Sequence, residues 1–388
     1  MSDFAQAGLI STLQRLNEKH LAPLEVALEP LAEVRPIALI LPCHGADLES
    51  PALAHIVDEL SRARFLSEIV VSMNGLDGAG WDRAQALFGR LPQRVSLLWN
   101  DGPMLKPVLS RWTTASGKGV NVWSAVGLLT SGGRAKIIAT QDVDVASFRK
   151  DGLARLCTTC AHPELGYRFG RMYYSRVTDR LYGRVSRLFL APLLQAFVRV
   201  AGHHPLLDFL LSFSYPLAGE TVFTSEIAAA LPFATRWSLE IAMLCELFRK
   251  TDPREVCQVD GGTGYDHRHH AMGDESALLA MSREIAGTLF SQLATEGQSV
   301  TATYRRSVAA AYRTEAASAL RRSRNLALIN GLPFDQQAEE ALIDGAAKHL
   351  ESQTGVEPIA PLLPSWASIA RNDPSEYESF RSAGRTGK

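Results

Sequence analysis

Apolar residues come in short blocks from residue 36 onward, each closed by turn-forming or polar residues. "PIALILP" (36–42), "EIVVSM" (68–73), "VSLLW" (95–99) and "KIIAT" (136–140) are nearly continuous runs. Runs of strand length bounded by Pro, Gly, Asn and Asp predict strands covered on both faces. Between them, 52–64 and 117–130 carry apolar residues at helical spacing. Strands and helices alternating over about a hundred residues predict an open, mainly parallel α/β sheet.

The flanks read differently. Residues 5–34 are expected to be helical, with Leu9, Leu13, Leu16 and Leu21 on one stripe. Past residue 160, "YRFGRMYYSR" (167–176) is strand-like and basic, 180–215 is mostly helical, and 237–250 is an amphipathic helix. Residues 254–270 form a short strand opening into a Gly-rich loop, and long Ala- and Leu-rich helices dominate from 273. The pattern divides the chain into an N-terminal helical segment (1–34), an α/β domain (35–272), a helical region (273–372) and a tail (373–388). That tail, rich in Ser, Gly and charge, is expected to be flexible.

Charge removes some partners. The 40 basic residues nearly cancel the 41 acidic ones, so no global field favours nucleic acid or an anionic membrane. Five cysteines are too few for a disulfide framework, and the odd count predicts reduced thiols in a cytoplasmic protein. Met1 to Leu24 lacks a signal-peptide layout. The most apolar region, Leu188 to Leu217, is interrupted by Arg199, His203, His204, Pro205 and Asp208, too polar for a membrane-spanning helix.

In such sheets ligands bind beyond the carboxyl ends of the strands. The unusual residues gather there: Pro42 to Asp47, Ser72 to Gly75, Asn100 to Gly102, and Asp142 to Asp144. Asp142 and Asp144 share one face at strand period and can meet a single cation; solvated turn aspartates are the plain alternative. "DHRHH" (266–270) offers an imidazole behind Gly261, Gly262 and Gly264, or is a polar surface loop. At most one or two of His267, His269 and His270 can share an ion. "SGKGVNVW" (116–123) sets Lys118 between two glycines before a helix, which favours an anion, yet it lacks the Walker A pattern. "YGRVSRLF" (182–189) places Gly183, Arg184 and Ser186 at a helix start, either a phosphate or carboxylate site or an ordinary helix surface. Glu240 stands in the first turn after the candidate N-cap Ser238, compensating the helix dipole or facing a substrate hydroxyl. "CTTC" (157–160) has metal-like spacing without a second pair and reads as helix interior.

Taken in order, these pieces resemble a GT-A glycosyltransferase, a Rossmann-like nucleotide-diphospho-sugar transferase fold. They are closest to the glucosyl-3-phosphoglycerate synthases of glycosyltransferase family 81. The likeness runs over residues 36–285, carried by "LPCHG", "GKG" with Trp123, "QDVD", "GRVS" with "PLL", "YPLAGE", "LPFA" with "EI", and "QVD" with "HRH". It implies a nucleotide sugar, UDP-glucose, as donor with Mg²⁺ or Mn²⁺ on its diphosphate, and a phosphoglycerate acceptor. Asp144 would be the main metal carboxylate and His267 its imidazole, with Asp142 on the ribose or in support. Lys118 and Asn74 would hold the nucleotide near Pro42. Gly183, Arg184 and Ser186 would bind the acceptor, with Arg171 as a further basic group, and Glu240 would lie beside the transferred sugar.

The resemblance also implies retained anomeric configuration and a homodimer. Cys43-His44-Gly45-Ala46 and Ser72-Met73-Asn74-Gly75 depart from the family's pattern on the nucleotide side. UDP or GDP, and glucose or mannose, therefore stay open as donors. Two other readings are a nucleotidyltransferase, whose Gly-rich, Arg-containing loop is missing after the first strand, and a non-catalytic nucleotide-sugar-binding protein.

Overall fold

The structure, a computed structural model, describes residues 6, 8–16, 21–263, 265, 275–352 and 361–385. The apolar runs form the middle of a sheet that, among the described residues, has eight strands. These are β1 (Ser11–Leu13), β2 (Ile37–His44), β3 (Leu66–Asn74), β4 (Arg94–Trp99), β5 (Ile137–Thr140), β6 (Phe169–Ser175), β7 (Thr221–Thr224) and β8 (Val256–Thr263). Their order in space is β1-β8-β6-β7-β5-β2-β3-β4. All neighbours are parallel except β7, which runs antiparallel to β5 and β6. The mainly parallel sheet expected from the alternation is present.

The helices of the first half are α1 (Leu21–Val34), α2 (Pro51–Leu60), α3 (Gly78–Phe88), α4 (Lys106–Leu109), α5 (Lys118–Gly132) and α6 (Lys150–Ala161). Then follow α7 (Ala191–Ala201), α8 (Pro205–Leu211), α9 (Ser225–Ala230), α10 (Leu239–Lys250) and α11 (Glu275–Thr295). The last four are α12 (Ala302–Ile329), α13 (Gln336–Ser352), α14 (Trp366–Asn372) and α15 (Pro374–Arg385). Side-chain alternation divides them between two apolar layers. On β2, Ala38 and Ile40 join the layer of α5 and the later helices; Ile37, Leu39, Leu41 and Cys43 join that of α1, α2, α3 and α6. Double coverage explains why β2 reads as an unbroken apolar run.

Two expectations are corrected. Residues 5–34 are not one helix: β1 pairs parallel with β8, and α1 is described from Leu21 onward. Leu9 and Leu16 are 50% and 73% exposed, so the proposed stripe does not form. An extended segment instead satisfies the edge of β8, where the Gln258 side chain donates to Thr12 Oγ1 at 2.9 Å. The segment after 372, read as a flexible tail, carries α15. Tyr377, Phe380 and Ala383 recur every third residue and pack on the core, Phe380 with no exposure. Its ring lies 4.4 Å from Trp366 and 6.4 Å from Trp123. A narrow apolar stripe outweighs the polar composition there.

The apolar stretch 188–217 lies inside the fold, and Tyr312 of α12 donates to Leu188 O at 2.9 Å. No helix among the described residues is long and apolar enough to cross a membrane. All five cysteines are buried and unpaired, and Cys157 and Cys160 lie within α6.

Candidate active site

A cleft of about 550 Å³ opens at the carboxyl ends of β2, β3, β5 and β6. It gathers Pro42, Asn74, Lys118, Asp142, Asp144, Gly183, Arg184, Ser186 and Glu240, which lie far apart in sequence. His267, His269 and His270 lie outside the described residues. A second cavity of about 320 Å³ borders Glu68, Arg94 and Arg134 at the amino ends of β3 and β4, away from these groups.

Beyond Thr140 the chain leaves the sheet while keeping the strand's alternation. All three of Asp142, Val143 and Asp144 line the cleft, Val143 buried and the two aspartates half-buried. What reconciles Asp142 with a buried strand end is Lys118, the first residue of α5. Its ammonium lies 2.7 Å from Asp142 Oδ1 and 2.8 Å from Glu240 Oε1. Burial disfavours the ammonium, but Asp142 and Glu240 more than offset it and hold its pKa well above the ordinary 10.5. Lys118 is therefore a fixed cation tying β5 to α10.

Gly219 seals this triad. A Cβ there would lie 2.3 Å from Asp142 Oδ2 and 2.6 Å from Lys118 Nζ, so the β7 approach requires glycine. Ser238 precedes α10 but makes no side-chain cap. Glu240, in the first turn, is instead turned to Lys118 and is 8% exposed.

On the β2–β3 side the polar groups form a chain. Asn121, one turn into α5, donates to Asn74 Oδ1 at 2.8 Å and to Cys43 O at 3.2 Å. Asn74 in turn donates to Ser116 Oγ at 2.8 Å. Asn100 donates to Asn121 Oδ1 and to Ser72 Oγ, both at 2.8 Å. Ring Nδ1 of His44 accepts from Ala46 N at 3.2 Å, which leaves its Nε2 to carry the proton of the neutral imidazole. Asn100 was expected at its strand end, whereas Ser116 and Asn121 were named only as part of the 116–123 stretch, without a role of their own.

The opposite wall is the turn before a π-helical stretch, Val185–Leu190, a geometry enriched at functional sites. Gly183 enters it at φ +70°, a conformation that glycine adopts without a Cβ clash. Arg184 and Ser186 follow it into the cleft. Tyr215, from the "YPLAGE" turn, and Arg176, just past β6, complete this wall; both were missed.

Arg171 does not reach the cleft. It has no exposure and donates to Pro216 O beneath the turn. Burial lowers its pKa to about 10 against the pull of Glu240, Tyr174, Glu220 and Tyr215. Glu220, also fully buried, accepts from Tyr174 Oη at 2.7 Å and Gln141 Nε2 at 3.2 Å. These groups support the floor of the site.

The chain was compared with known proteins. No family model matches it. It is 34% identical over 382 residues to the glucosyl-3-phosphoglycerate synthase of Persephonella marina, across 95% of this chain and 94% of that one. The enzyme of the same name from Methanococcoides burtonii is 29% identical over 373 residues, covering 92% and 91% of the two chains. Among solved structures, glucosyl-3-phosphoglycerate synthase from Mycobacterium tuberculosis with Mg²⁺ and UDP superposes with a TM-score of 0.56 at 23% identity. That match covers 73% of this chain and 86% of the other. The same protein with Mn²⁺, UDP-glucose and phosphoglyceric acid gives 0.56 at 23%, over 74% and 88%. These structures share the GT-A fold with the present one. By its end-to-end identity with the Persephonella marina enzyme, the chain belongs to the glucosyl-3-phosphoglycerate synthases.

Proposed function

We propose that this protein transfers glucose from UDP-glucose to the 2-hydroxyl of 3-phosphoglycerate, with Mg²⁺ or Mn²⁺ on the donor diphosphate. The observation that carries the reading is the meeting, in one cleft, of the Asp142–Asp144 strand end, Lys118, Glu240 and the Gly183–Ser186 turn.

The donor atoms fit such an ion. Carboxylate oxygens suit a hard divalent cation, which commonly takes one or two carboxylates and completes its shell with phosphate oxygens and water. Both Asp142 oxygens lie within 2.9 Å of Lys118 Nζ, so Asp144 is the carboxylate assigned to the metal, and His267 is the candidate imidazole. When bound, the ion offsets negative charge on the departing diphosphate.

The remaining steps belong to the chain's own residues. Lys118 supplies a second positive charge beside the diphosphate. Pro42 and Asn74, the latter fixed by Asn121 and Ser116, border the space for the nucleoside. Gly183, Arg184 and Ser186 bind the acceptor's phosphate through backbone N–H, guanidinium and hydroxyl donors. Glu240, held by Lys118, orients the sugar and forms no covalent bond to it. The acceptor hydroxyl, positioned beside the anomeric carbon, attacks from the leaving-group side. The leaving phosphate oxygen accepts its proton, and configuration is retained.

Mass spectrometry of the purified protein with 3-phosphoglycerate and UDP-glucose, GDP-glucose or GDP-mannose, with Mn²⁺ or EDTA, tests the proposal. Metal-dependent product from UDP-glucose is expected. No transfer from any donor would leave a nucleotide-sugar-binding protein instead. The proposal includes a cytoplasmic homodimer, using the end of α12, where Leu328 and Ile329 are 78% and 83% exposed. Sedimentation as a monomer would remove that part.

A further inference from the structure

The acceptor proposed above carries two anionic groups, and the Gly183–Ser186 turn accounts for one. The cleft wall holds a second guanidinium. Arg176 lines the cleft between Asp144 and the Gly183 turn, and its main-chain O accepts from Tyr182 N at 2.9 Å. Its Cδ lies 3.8 Å from where a Cβ on Gly183 would stand. Arg176 and Ser186 both stand beside the Tyr215 hydroxyl, which sets the guanidinium in register with the turn. Burial works against its charge, but Tyr215, Tyr174 and Asp144 outweigh that and keep it strongly basic.

Both guanidiniums have donors to spare. Arg176 Nε and Arg184 Nη1 are buried without a hydrogen-bond partner, a costly state for a charged donor unless a ligand completes it. Arg171 likewise leaves Nε and Nη2 unpaired, but it is fully buried below the floor, where it donates to Pro216 O, and does not line the cleft.

The acceptor's own connectivity orders the two sites. Its attacking hydroxyl sits on the carbon that bears the carboxylate, and the phosphate is attached one carbon further on. With the hydroxyl directed at a sugar near Asp144 and Glu240, the carboxylate lies on the Asp144 side of the phosphate. We infer that Arg176 binds the carboxylate of the acceptor while the Gly183–Ser186 turn holds its phosphate; this rests on the phosphoglycerate reading given above. Arg176 would thereby separate a phosphoglycerate from phosphorylated polyols of the same length.

The test compares 3-phosphoglycerate with glycerol 3-phosphate, which keeps the phosphate and the 2-hydroxyl but lacks the carboxylate. Turnover of each, or competitive inhibition by glycerol 3-phosphate, is measured for wild type, Arg176→Gln and Arg176→Lys. Losing a charge-assisted hydrogen bond in Arg176→Gln is expected to cost 3-phosphoglycerate about 10- to 100-fold in kcat/KM, mainly through KM. Glycerol 3-phosphate should change by less than about 3-fold, since its shared groups meet other residues. Arg176→Lys, with charge but no planar fork, should fall between. A parallel loss for both acceptors, as from a merely loosened fold, or unchanged 3-phosphoglycerate kinetics would overturn the inference. Failure of the wild type to use 3-phosphoglycerate at all would overturn the acceptor assignment, and the inference with it.

Discussion

Replacing Lys118 by methionine keeps the length of the side chain and removes its charge. In the wild type that charge meets Asp142 at 2.7 Å and Glu240 at 2.8 Å, with side-chain exposures of 33%, 19% and 10% for Lys118, Asp142 and Glu240. Stranding a partner of a fully buried pair costs about 3–5 kcal/mol, and exposed pairs are worth about 0–1 kcal/mol. This partly sheltered triad falls between, so Lys118→Met should cost about 2–3 kcal/mol. At ~2–4 °C per kcal/mol the thermal midpoint drops by about 4–12 °C.

Added Mn²⁺, held by the neighbouring Asp144, should restore part of the loss by bringing positive charge beside Asp142 and Glu240 in the folded state. The pH dependence has a definite sign. A folded-state pKa raised above 10.5 gives a contribution fully present below that value and lost only as pH rises past it. The gap between wild type and variant should therefore be flat from about pH 6 to about pH 9. Scanning calorimetry at several pH values, with and without Mn²⁺, reads all three. A midpoint shift below about 1 °C, or a gap that closes below pH 9, would refute the triad's role.

Asp144→Ala should reduce metal-dependent transfer by at least about 100-fold while leaving the unfolding midpoint nearly unchanged; an unaltered Mn²⁺ response would remove it from the metal site. Gly219→Ala forces a methyl group to 2.3 Å from Asp142 Oδ2, so donor KM should rise with an unchanged circular dichroism spectrum. Gly183→Ala finds space, with Arg176 Cδ at 3.8 Å, but at φ +70°. A backbone cost of about 1–2 kcal/mol should raise acceptor KM and spare donor KM. Phe380→Ala empties a fully buried site and should cost about 3–5 kcal/mol in urea unfolding; a neutral result would return the last helix to the status of a tail.

The central strands were legible because double burial writes itself as consecutive apolar residues, as at Ile37 to Leu41. The strand-end residues were legible because parallel sheets collect ligands there. Neither rule names pairings across the chain. Lys118 looked like an anion-binding helix start, and only folding brings it to Asp142 and Glu240, the latter 122 residues away. Arg171 and Arg176 sit five apart on one basic strand, and nothing local told the buried one from the one that reaches the cleft. Tail composition misled because Phe380 owes its burial to Trp123 and Trp366, residues that no local window contains. The extended edge at Ser11–Leu13 was hidden for the same reason: its partner is β8.

The two stacked tryptophans carry a consequence for how the molecule is made. The Trp123 indole donates to Pro364 O at 2.8 Å, and the Trp366 indole donates to Trp123 O at 2.7 Å, across 241 and 243 residues. Thus α5, the helix that begins with Lys118, gains its back wall only after the chain has been made through Trp366. Contacts of such sequence separation form late and slowly. During synthesis the apolar flank of α5 waits uncovered, and the helix start that presents Lys118 becomes firmly seated as one of the last events of folding.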